Sequence, residues 1–546
     1  FQSGLLDKLE DALPDEILEK YNLPKLKTAL IWAHTPKKQS DSESARKRFA
    51  FGEVFFIQIS KQKERKEYEK KKSFHIKPDK KEVKEFMGRF PFSATISQTD
   101  AIESVLKDFE KKHAMSRLLE GDVGSGKTAV AATLVHAVTT TRPLKSDGSR
   151  QDFGNLQTAY MVPTEILAKQ HFETFIEYFE HLPINIGLIT SSGCKKFPSK
   201  VDPSGATNIS RSQLLKWVEN GEIPILIGTH SLIQKTVKFE NLAFIIIDEQ
   251  HRFGTAQRQK LTRKDDISPH LLSMTATPIP RTLALTVYGD LDLTILDQMP
   301  KGRKPIITQI VTPTKRDSVY EEIRKELKAG RQAYVITPRI DEPDPNKEKA
   351  VNAKSVKEEA KRLKKDIFPE YEIDILHSKM KPSEKEDVMD KFTENEIQIL
   401  VATSVVEVGV NVPNATVIII EGAERFGLAQ LHQLRGRVIR SNHQAYCFVF
   451  SESKTAKTAE RLKALKTAKN GFELAEFDLG IRGSGELYGK RQSGLSDIAM
   501  EAMKNLKMVE AAREEAQKLV AKDSELKNHR AIAEIIERKT KDIHFE

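Results

Sequence analysis

Two successive series of short, continuously apolar runs, separated by stretches with helical patterning, constrain the architecture of this chain more tightly than any other feature. The first series occupies 159–162, 186–189, 223–227 and 243–247, and the second 332–336, 372–376, 398–401, 417–420 and 445–450. A strand that is apolar along its whole length, rather than at every second residue, is buried on both faces. That environment is met in a parallel sheet whose crossover helices cover both sides. The sequence is therefore read as α/β, with two tandem parallel-sheet lobes flanked by helical segments at both ends. The expected divisions are 1–84 for an N-terminal helical linker or brace, 85–300 for the first lobe, 301–455 for the second and 456–546 for a C-terminal helical segment. Within 1–84, helical patterns at 5–21 and 45–62 are broken near Pro36. Segments 143–155, 194–208 and 341–354 read as surface loops, and a glycine-rich patch at 480–494 is not expected to form a plain helix.

Composition narrows the class further. A chain of 546 residues is too long for one core. It has no run of about 18 apolar residues of the kind a membrane-spanning helix needs. Cys194 and Cys447 are far apart and lack Cys or His neighbours at metal spacing, which argues against a disulfide framework or zinc site and fits a reducing cytoplasm. A net charge of +10 suits a polyanionic partner. Much of the lysine, however, lies in mixed-sign stretches such as 61–72, which read as a solvated helix face. The first residues carry neither an initiator Met nor a signal-peptide pattern, so the chain is expected to begin within a longer protein.

Three motifs carry chemistry. Gly121-Asp122-Val123-Gly124-Ser125-Gly126-Lys127-Thr128 lies between an apolar-leaning stretch at 115–119 and a helix-forming run from Ala129. In such a loop backbone N–H groups wrap phosphate, Lys127 reaches the outer phosphates and the Thr128 hydroxyl binds Mg²⁺. The bland alternative, a glycine-rich turn, does not account for that strand-and-helix context. Asp248 and Glu249 follow the buried run 244–247, placing two carboxylates at the end of a strand. Asp248 is expected to hold Mg²⁺ and Glu249 to orient and deprotonate an attacking water; alone, the pair could be a solvated acidic turn. Arg435, Arg437 and Arg440 lie in the second lobe after Gln430, His432 and Gln433. An arginine that meets the γ-phosphate only when two lobes close can stabilise transition-state charge; the competing reading is a basic helix facing solvent or DNA. Gln433, Arg437 and Arg440 are the second lobe's catalytic candidates. The Ser273–Thr277 stretch lies between the lobes in sequence, where small hydroxyl residues relay closure or cap a helix.

The motifs together have a familiar order. PTEILA at 163–168, GTH at 228–230, DEQH at 248–251, TAT at 275–277, LHSKM at 376–380, ATSVVEVGVNVP at 402–413 and QLHQLRGRVIR at 430–440 resemble superfamily 2 helicases. DEQHRFGTAQR at 248–258, MTATPIPRTLALTVYGDLDLT at 274–294 and GIRGSGELYGKRQSGL at 480–495 resemble the RecG family, and the likeness covers essentially the whole chain, including ARKRFAFGEVFFIQ at 45–58.

The resemblance implies RecA-like lobes and a Mg²⁺- and ATP-dependent motor that moves on double-stranded DNA. Such a motor remodels stalled forks and Holliday junctions in repair and recombination. It also implies a monomer in the bacterial cytoplasm, associated with the nucleoid, with single-stranded DNA-binding protein as a further partner. By the same resemblance Phe92 stacks on adenine and Gln98 pairs with its edge. Thr164, Thr229, His230 and Thr403 touch the DNA backbone, with capping roles as the alternative, and Arg482, Arg491 and Gln492 belong to a segment coupling lobe closure to translocation. Ile439, Asn411 and Ser484 depart from the family's usual Gly, Asp and Pro. The family's oligonucleotide-binding wedge domain is expected to lie before residue 1, which bears on fork splitting. Two rivals are a transcription-repair coupling translocase and a nucleotide-gated DNA-binding protein without turnover.

Overall fold

The computed structural model describes residues 6, 9–111, 113–143, 154–249, 267–277, 280, 284–286, 289–300, 302, 304–338, 355–403, 412–439, 443–453, 455–482, 502 and 505–542. Among them, nine strands form the first sheet: β1 Ser116–Gly121, β2 Gln157–Met161, β3 Ile186–Ile189, β4 Cys194–Phe197, β5 Thr207–Ile209, β6 Ile225–Gly228, β7 Leu242–Ile247, β8 His270–Thr275 and β9 Asp292–Leu296. Their order is β5-β4-β3-β6-β2-β7-β8-β1-β9. Six more form the second sheet: β10 Ile307–Val311, β11 Gln332–Ile336, β12 Ile373–Leu376, β13 Ile399–Ala402, β14 Ala415–Ile420 and β15 Tyr446–Phe450, ordered β10-β15-β14-β11-β13-β12. The second sheet is parallel throughout. β2, β6, β11, β13 and β14 are buried at every residue, the burial their apolar runs demand of strands with helices on both faces, and β8 is equally buried despite its polar residues. The chain is thus α/β, with two tandem RecA-like lobes and helical ends.

Several local expectations are corrected. Residues 194–208, read as a loop, contain β4 and β5, which add an antiparallel edge to the first sheet. Cys194 and Phe197 are buried while Lys195 and Lys196 are only partly so. The lysines sit on β4, which is paired on both sides, and the edge itself is the three-residue β5; so short an edge strand limits further pairing, but the segment's sequence looks like surface. Ser273 to Thr275 form no helix cap: they end β8, inside the first sheet between β7 and β1. The glycine-rich patch does not begin as a break, because the helix Gly471–Arg482 runs through Gly480. Segments 144–153 and 341–354, from the other two loop expectations, lie outside the described residues, as do 483–494 of the patch.

The chain ends meet. Near the N-terminus the described residues of the pattern at 5–21 hold the helix Asp15–Lys20, which starts after Pro14. After the helix Leu26–His34 comes the 31-residue helix Gln39–Glu69. Its Phe51, Val54, Phe55 and Ile59 share one core with Val509, Ala512, Ala516 and Val520 of the helix Leu506–Lys522. The same long helix caps the β9 edge of the first lobe. Gln58 Nε2 donates to the Leu285 carbonyl at 2.9 Å, Gln62 Nε2 to Gly289 at 3.1 Å, and Arg65 grips Asp292 of β9 with two bonds of 2.8 and 3.1 Å. The first lobe's core also takes in Ile76, Val83 and Phe86. The second lobe's core takes in Leu462 and Leu465 of the helix Ala456–Thr467 and Leu474 of the helix that follows. Among the described residues no helix is long and apolar enough to cross a membrane.

Candidate nucleotide site between the lobes

β1 ends at Gly121, and the loop after it turns through two left-handed glycines, Gly124 at φ 82° and Gly126 at φ 87°. A β-carbon on Gly126 would lie 2.2 Å from Gln98 Nε2, so the position excludes any side chain. Lys127 opens the helix Lys127–Thr139 and curls back, donating from Nζ to the Gly121 carbonyl at 2.6 Å and the Asp122 carbonyl at 3.0 Å. Phosphate oxygens are stronger acceptors for an ammonium than these carbonyls.

Gln98 is almost wholly buried, and both ends of its amide are engaged. Nε2 donates to the Ser125 carbonyl at 2.7 Å, and Oε1 accepts from the Thr95 N–H at 2.9 Å in the capping box of the helix Ile96–Phe109. In this structure it buttresses the phosphate loop, whereas Phe92 lines the cavity and stacks against Phe90.

Asp248 and Glu249 stand at the C-terminal end of β7. The Asp248 N–H donates to the Met161 carbonyl, continuing the β2–β7 ladder at 2.9 Å, and Glu249 is turned into the left-handed region at φ 54°. For a residue other than glycine that conformation costs on the order of 1 kcal/mol. His171, on the helix Glu165–Phe179, places Nε2 3.2 Å from Asp248 Oδ2.

Burial alone would raise the Asp248 pKa, but His171 and then Lys127 outweigh it and hold the carboxyl below its usual range. For Glu249, burial and the adjoining Asp248 charge push the pKa up to about 7. Lys127, Arg437 and the Ala276 N–H only partly oppose that rise. Two adjoining carboxyls are thereby driven apart in acidity, as suits one that stays an anion and one that takes a proton.

Arg437 comes from the second lobe, on the turn Gly436–Val438 after the helix Leu428–Arg435. It lines the same cavity, of about 260 Å³, as Lys127, Thr128, Asp248 and Glu249. Gln433 is buried one turn earlier. Ile439 adopts φ −93°, open to any residue, so the lack of glycine there causes no backbone strain. Arg440 lies outside the described residues, as do Asn411, Ser484, Arg491 and Gln492 and the side chain of Arg482.

Asp122 departs from the expectation for a phosphate-loop side chain. It is absent from the cavity wall and faces the second lobe. Its Oδ1 accepts from His432 Nε2 at 2.5 Å and its Oδ2 from the Gly471 N–H at 3.0 Å. Burial would raise its pKa, but the His432 bond and the backbone donors prevail and bring it to about 2. A second link between lobes joins Lys169 to Glu386 at 2.5 Å. Neither His171 nor His432 was assigned a role from sequence. His171 falls seven residues after Thr164, two turns along one helix face, and that spacing is its only sequence signal.

The DNA candidates sit after strand ends. Thr164 caps its helix through a 3.3 Å bond from the Leu167 N–H. Thr229 follows β6 and lies 3.3 Å from the Ser231 hydroxyl, His230 is exposed, and Thr403 follows β13 and is nearly buried. Three come from the ends of β2, β6 and β13, where open parallel sheets place ligand contacts.

Family models match three consecutive regions: DEAD/DEAH box helicase at 95–286, helicase conserved C-terminal domain at 314–442, and ATP-dependent DNA helicase RecG, domain 3, C-terminal, at 468–545. The chain is 41% identical over 524 residues to the ATP-dependent DNA helicase RecG of Synechocystis, covering 96% of this chain and 59% of that protein. It is 41% identical over 521 residues to RecG of Bacillus subtilis, covering 95% and 72%. A solved structure of RecG bound to a three-way DNA junction superposes with a TM-score of 0.71 at 37% identity, covering 92% of this chain and 62% of that one. The chain therefore spans between 59% and 72% of the length of these relatives. With that likeness extending through both lobes and the C-terminal segment, the chain belongs to the RecG family of ATP-dependent DNA helicases.

Proposed function

We propose that this chain is a Mg²⁺- and ATP-dependent motor that moves on double-stranded DNA and remodels branched DNA, such as stalled forks and Holliday junctions, in repair and recombination. The observation that carries this reading is the shared cavity: Lys127, Asp248 and Glu249 from one lobe and Arg437 from the other line a single space. An arginine from the opposite lobe makes the charge balance at the nucleotide depend on lobe closure.

In this reading Phe92 and the loop from Gly121 to Thr128 hold the nucleotide, and Lys127 exchanges its two carbonyl partners for phosphate oxygens. The Thr128 hydroxyl and the Asp248 carboxylate are hard oxygen donors that suit Mg²⁺, which when bound neutralises phosphate charge. Glu249 takes the proton of the attacking water. Gln433, Arg437 and Arg440 face the reacting phosphate as the lobes close. Thr164, Thr229, His230 and Thr403 hold the DNA backbone, and Arg482, Arg491 and Gln492 couple closure to movement. A junction-bound structure of a relative and the net charge of +10 support branched DNA as the partner. Following the family, the chain acts as a monomer in the bacterial cytoplasm at the nucleoid, with single-stranded DNA-binding protein as a partner.

Phosphate release from ATP without DNA, with linear duplex and with a three-way junction tests the reading. Turnover is expected to rise at least about tenfold with DNA and to vanish in Lys127→Ala. Glu249→Gln is expected to keep ATP binding while losing about 10²- to 10⁴-fold in turnover. An absence of turnover on every DNA overturns the motor.

A further inference from the structure

The phosphate loop has a second face, turned toward the other lobe. The Asp122 carboxylate accepts three donors there: the Val123 N–H at 2.7 Å, His432 Nε2 at 2.5 Å and the Gly471 N–H at 3.0 Å. The hydrogen on His432 is placed by its neighbour. Arg435 Nη2 lies 2.9 Å from His432 Nδ1, and because a guanidinium can only donate, Nδ1 is the acceptor and Nε2 carries the proton aimed at Asp122. Arg435 Nη1 in turn donates to the Leu465 carbonyl at 2.6 Å.

One side chain of the first lobe is thereby joined to three helices of the second. Leu428–Arg435 leads into Arg437, Ala456–Thr467 holds Leu465, and Gly471–Arg482 leads toward the glycine-rich segment. The backbones are just as close, since a β-carbon on Gly436 would lie 2.6 Å from Val123 Cβ. The same residue also faces the nucleotide side, because its carbonyl is one of the two that hold Lys127 Nζ. When Lys127 turns to phosphate, the peptide at 121–122 loses its ammonium partner, and the adjoining carboxylate is what ties the three helices to that loop.

Building on the proposed motor function, we propose that Asp122 and His432 are positioning residues: through them the nucleotide state of Lys127 is passed to the helix Gly471–Arg482, and so to the segment that couples hydrolysis to movement on DNA. The two residues act through other groups and do not touch the reacting phosphate. A carboxylate with three donors in a partly buried setting, its side chain 16% exposed, is directional and costly to leave unsatisfied, so a shift of the loop is carried to the helix rather than absorbed by solvent.

The test compares the wild-type chain with His432→Leu and His432→Gln, because glutamine can present an N–H where the imidazole Nε2 does. Three quantities are read for each: turnover without DNA, turnover with a three-way junction, and base pairs of junction moved per ATP. His432→Leu is expected to lower the ratio of stimulated to unstimulated turnover by about tenfold and to lower movement per ATP, and His432→Gln to restore most of both. A merely structural role would scale both turnovers by one factor, leaving the ratio and the yield per ATP unchanged in His432→Leu, and that result overturns the inference.

Amide exchange of the wild-type chain is the second measurement, free of any folding risk. Residues 471–474 are expected to change exchange rate by about threefold or more on saturation with a non-hydrolysable ATP analogue. Unchanged exchange overturns the inference as well. If the wild-type chain shows no DNA-stimulated turnover, the proposed function falls and this inference with it. If stimulation is intact and equal in the wild type and His432→Leu, only the inference falls.

Discussion

Glu249 shows at the scale of one residue how function opposes stability. Burial and the charge of Asp248 raise its pKa from the usual carboxylate value to about 7. For a group whose folded pKa is raised, the stabilising contribution is fully present below the unfolded pKa, near 4.5, and is lost as pH rises through about 7. At pH 8 the folded chain therefore carries a carboxylate that it holds less well than the unfolded chain does, at a cost on the order of 1–3 kcal/mol. Glu249→Gln keeps the shape and the left-handed backbone but removes the charge. It is expected to raise the melting temperature at pH 8 and to leave it nearly unchanged at pH 5, in differential scanning fluorimetry without nucleotide. An equal shift at both pH values would mean that the Asp248–Glu249 repulsion is not the cause. In the active form Glu249 must be unprotonated, so turnover should rise through the same pH range. That Lys127, Asp248, Glu249 and Arg437 meet at one cavity could be read from sequence because each stands in a short motif whose spacing a strand end or helix start dictates. His171 and His432 could not, because their importance comes from what the fold brings to them across helices and across lobes.

At the scale of elements, legibility followed burial. β2, β3, β6, β7 and all strands of the second lobe except β10 announced themselves as apolar-rich runs, although Asp374 interrupts β12, which is fully buried only at Leu376. β8 did not, since His270, Ser273 and Thr275 interrupt it, yet all its residues are buried. β9 and β10 were missed as edge strands of only partial burial, and the β4–β5 pair because β4 carries two lysines and β5 is only three residues long. Two of the polar residues of β8 are paired: the Thr275 hydroxyl lies 2.8 Å from that of Thr277, and the His270 ring is bonded at both nitrogens. His270 accepts from the Met115 N–H at Nδ1, at 3.1 Å, and donates from Nε2 to the Phe74 carbonyl, at 2.8 Å, which fixes the neutral ring. Burial, the leading cause, lowers its pKa from 6.5 to about 4. Here the unfolded chain binds the proton more readily, so stability is full above 6.5 and falls as pH drops from 6.5 to about 4. The loss from this residue approaches about 3 kcal/mol, an upper figure for so buried a group. Urea unfolding at pH 7 and pH 4.5 should therefore show a smaller acid-induced loss in His270→Gln than in the wild type. Equal losses in the two chains would assign the acid sensitivity elsewhere, His136 being the next buried imidazole with a lowered pKa.

The whole molecule is organised so that its two ends stabilise one lobe while its middle links both. The helices Gln39–Glu69 and Leu506–Lys522 share a core and close the β9 edge, so the first lobe is braced from outside by segments far apart in sequence. The second lobe is tied to it by the packing of Ile166 on the second lobe's core and by polar links: the Asp122 cluster beside the nucleotide cavity, and the Lys169–Glu386 pair on the helices Glu165–Phe179 and Pro382–Thr393. That pair is about one-third exposed on each side, so its worth in static stability is about 0–1 kcal/mol after screening. A melting curve is therefore the wrong instrument for it. An open–closed balance is a more sensitive one, because about 1 kcal/mol changes a two-state ratio about fivefold. Reversing one charge, as Lys169→Glu or Glu386→Lys, replaces attraction by repulsion across the cleft. Each single change is expected to lower junction-stimulated turnover about three- to tenfold at low salt, less at high salt where the pair is screened. The double reversal restores the opposite-sign pair and should recover most of the loss. Lys169 lies on the helix capped by Thr164, so a change in DNA contact alone could also lower turnover in the single variants. Only recovery in the double variant isolates the attraction between lobes, and a double variant no faster than the worse single one would show that Lys169 acts on DNA rather than on Glu386.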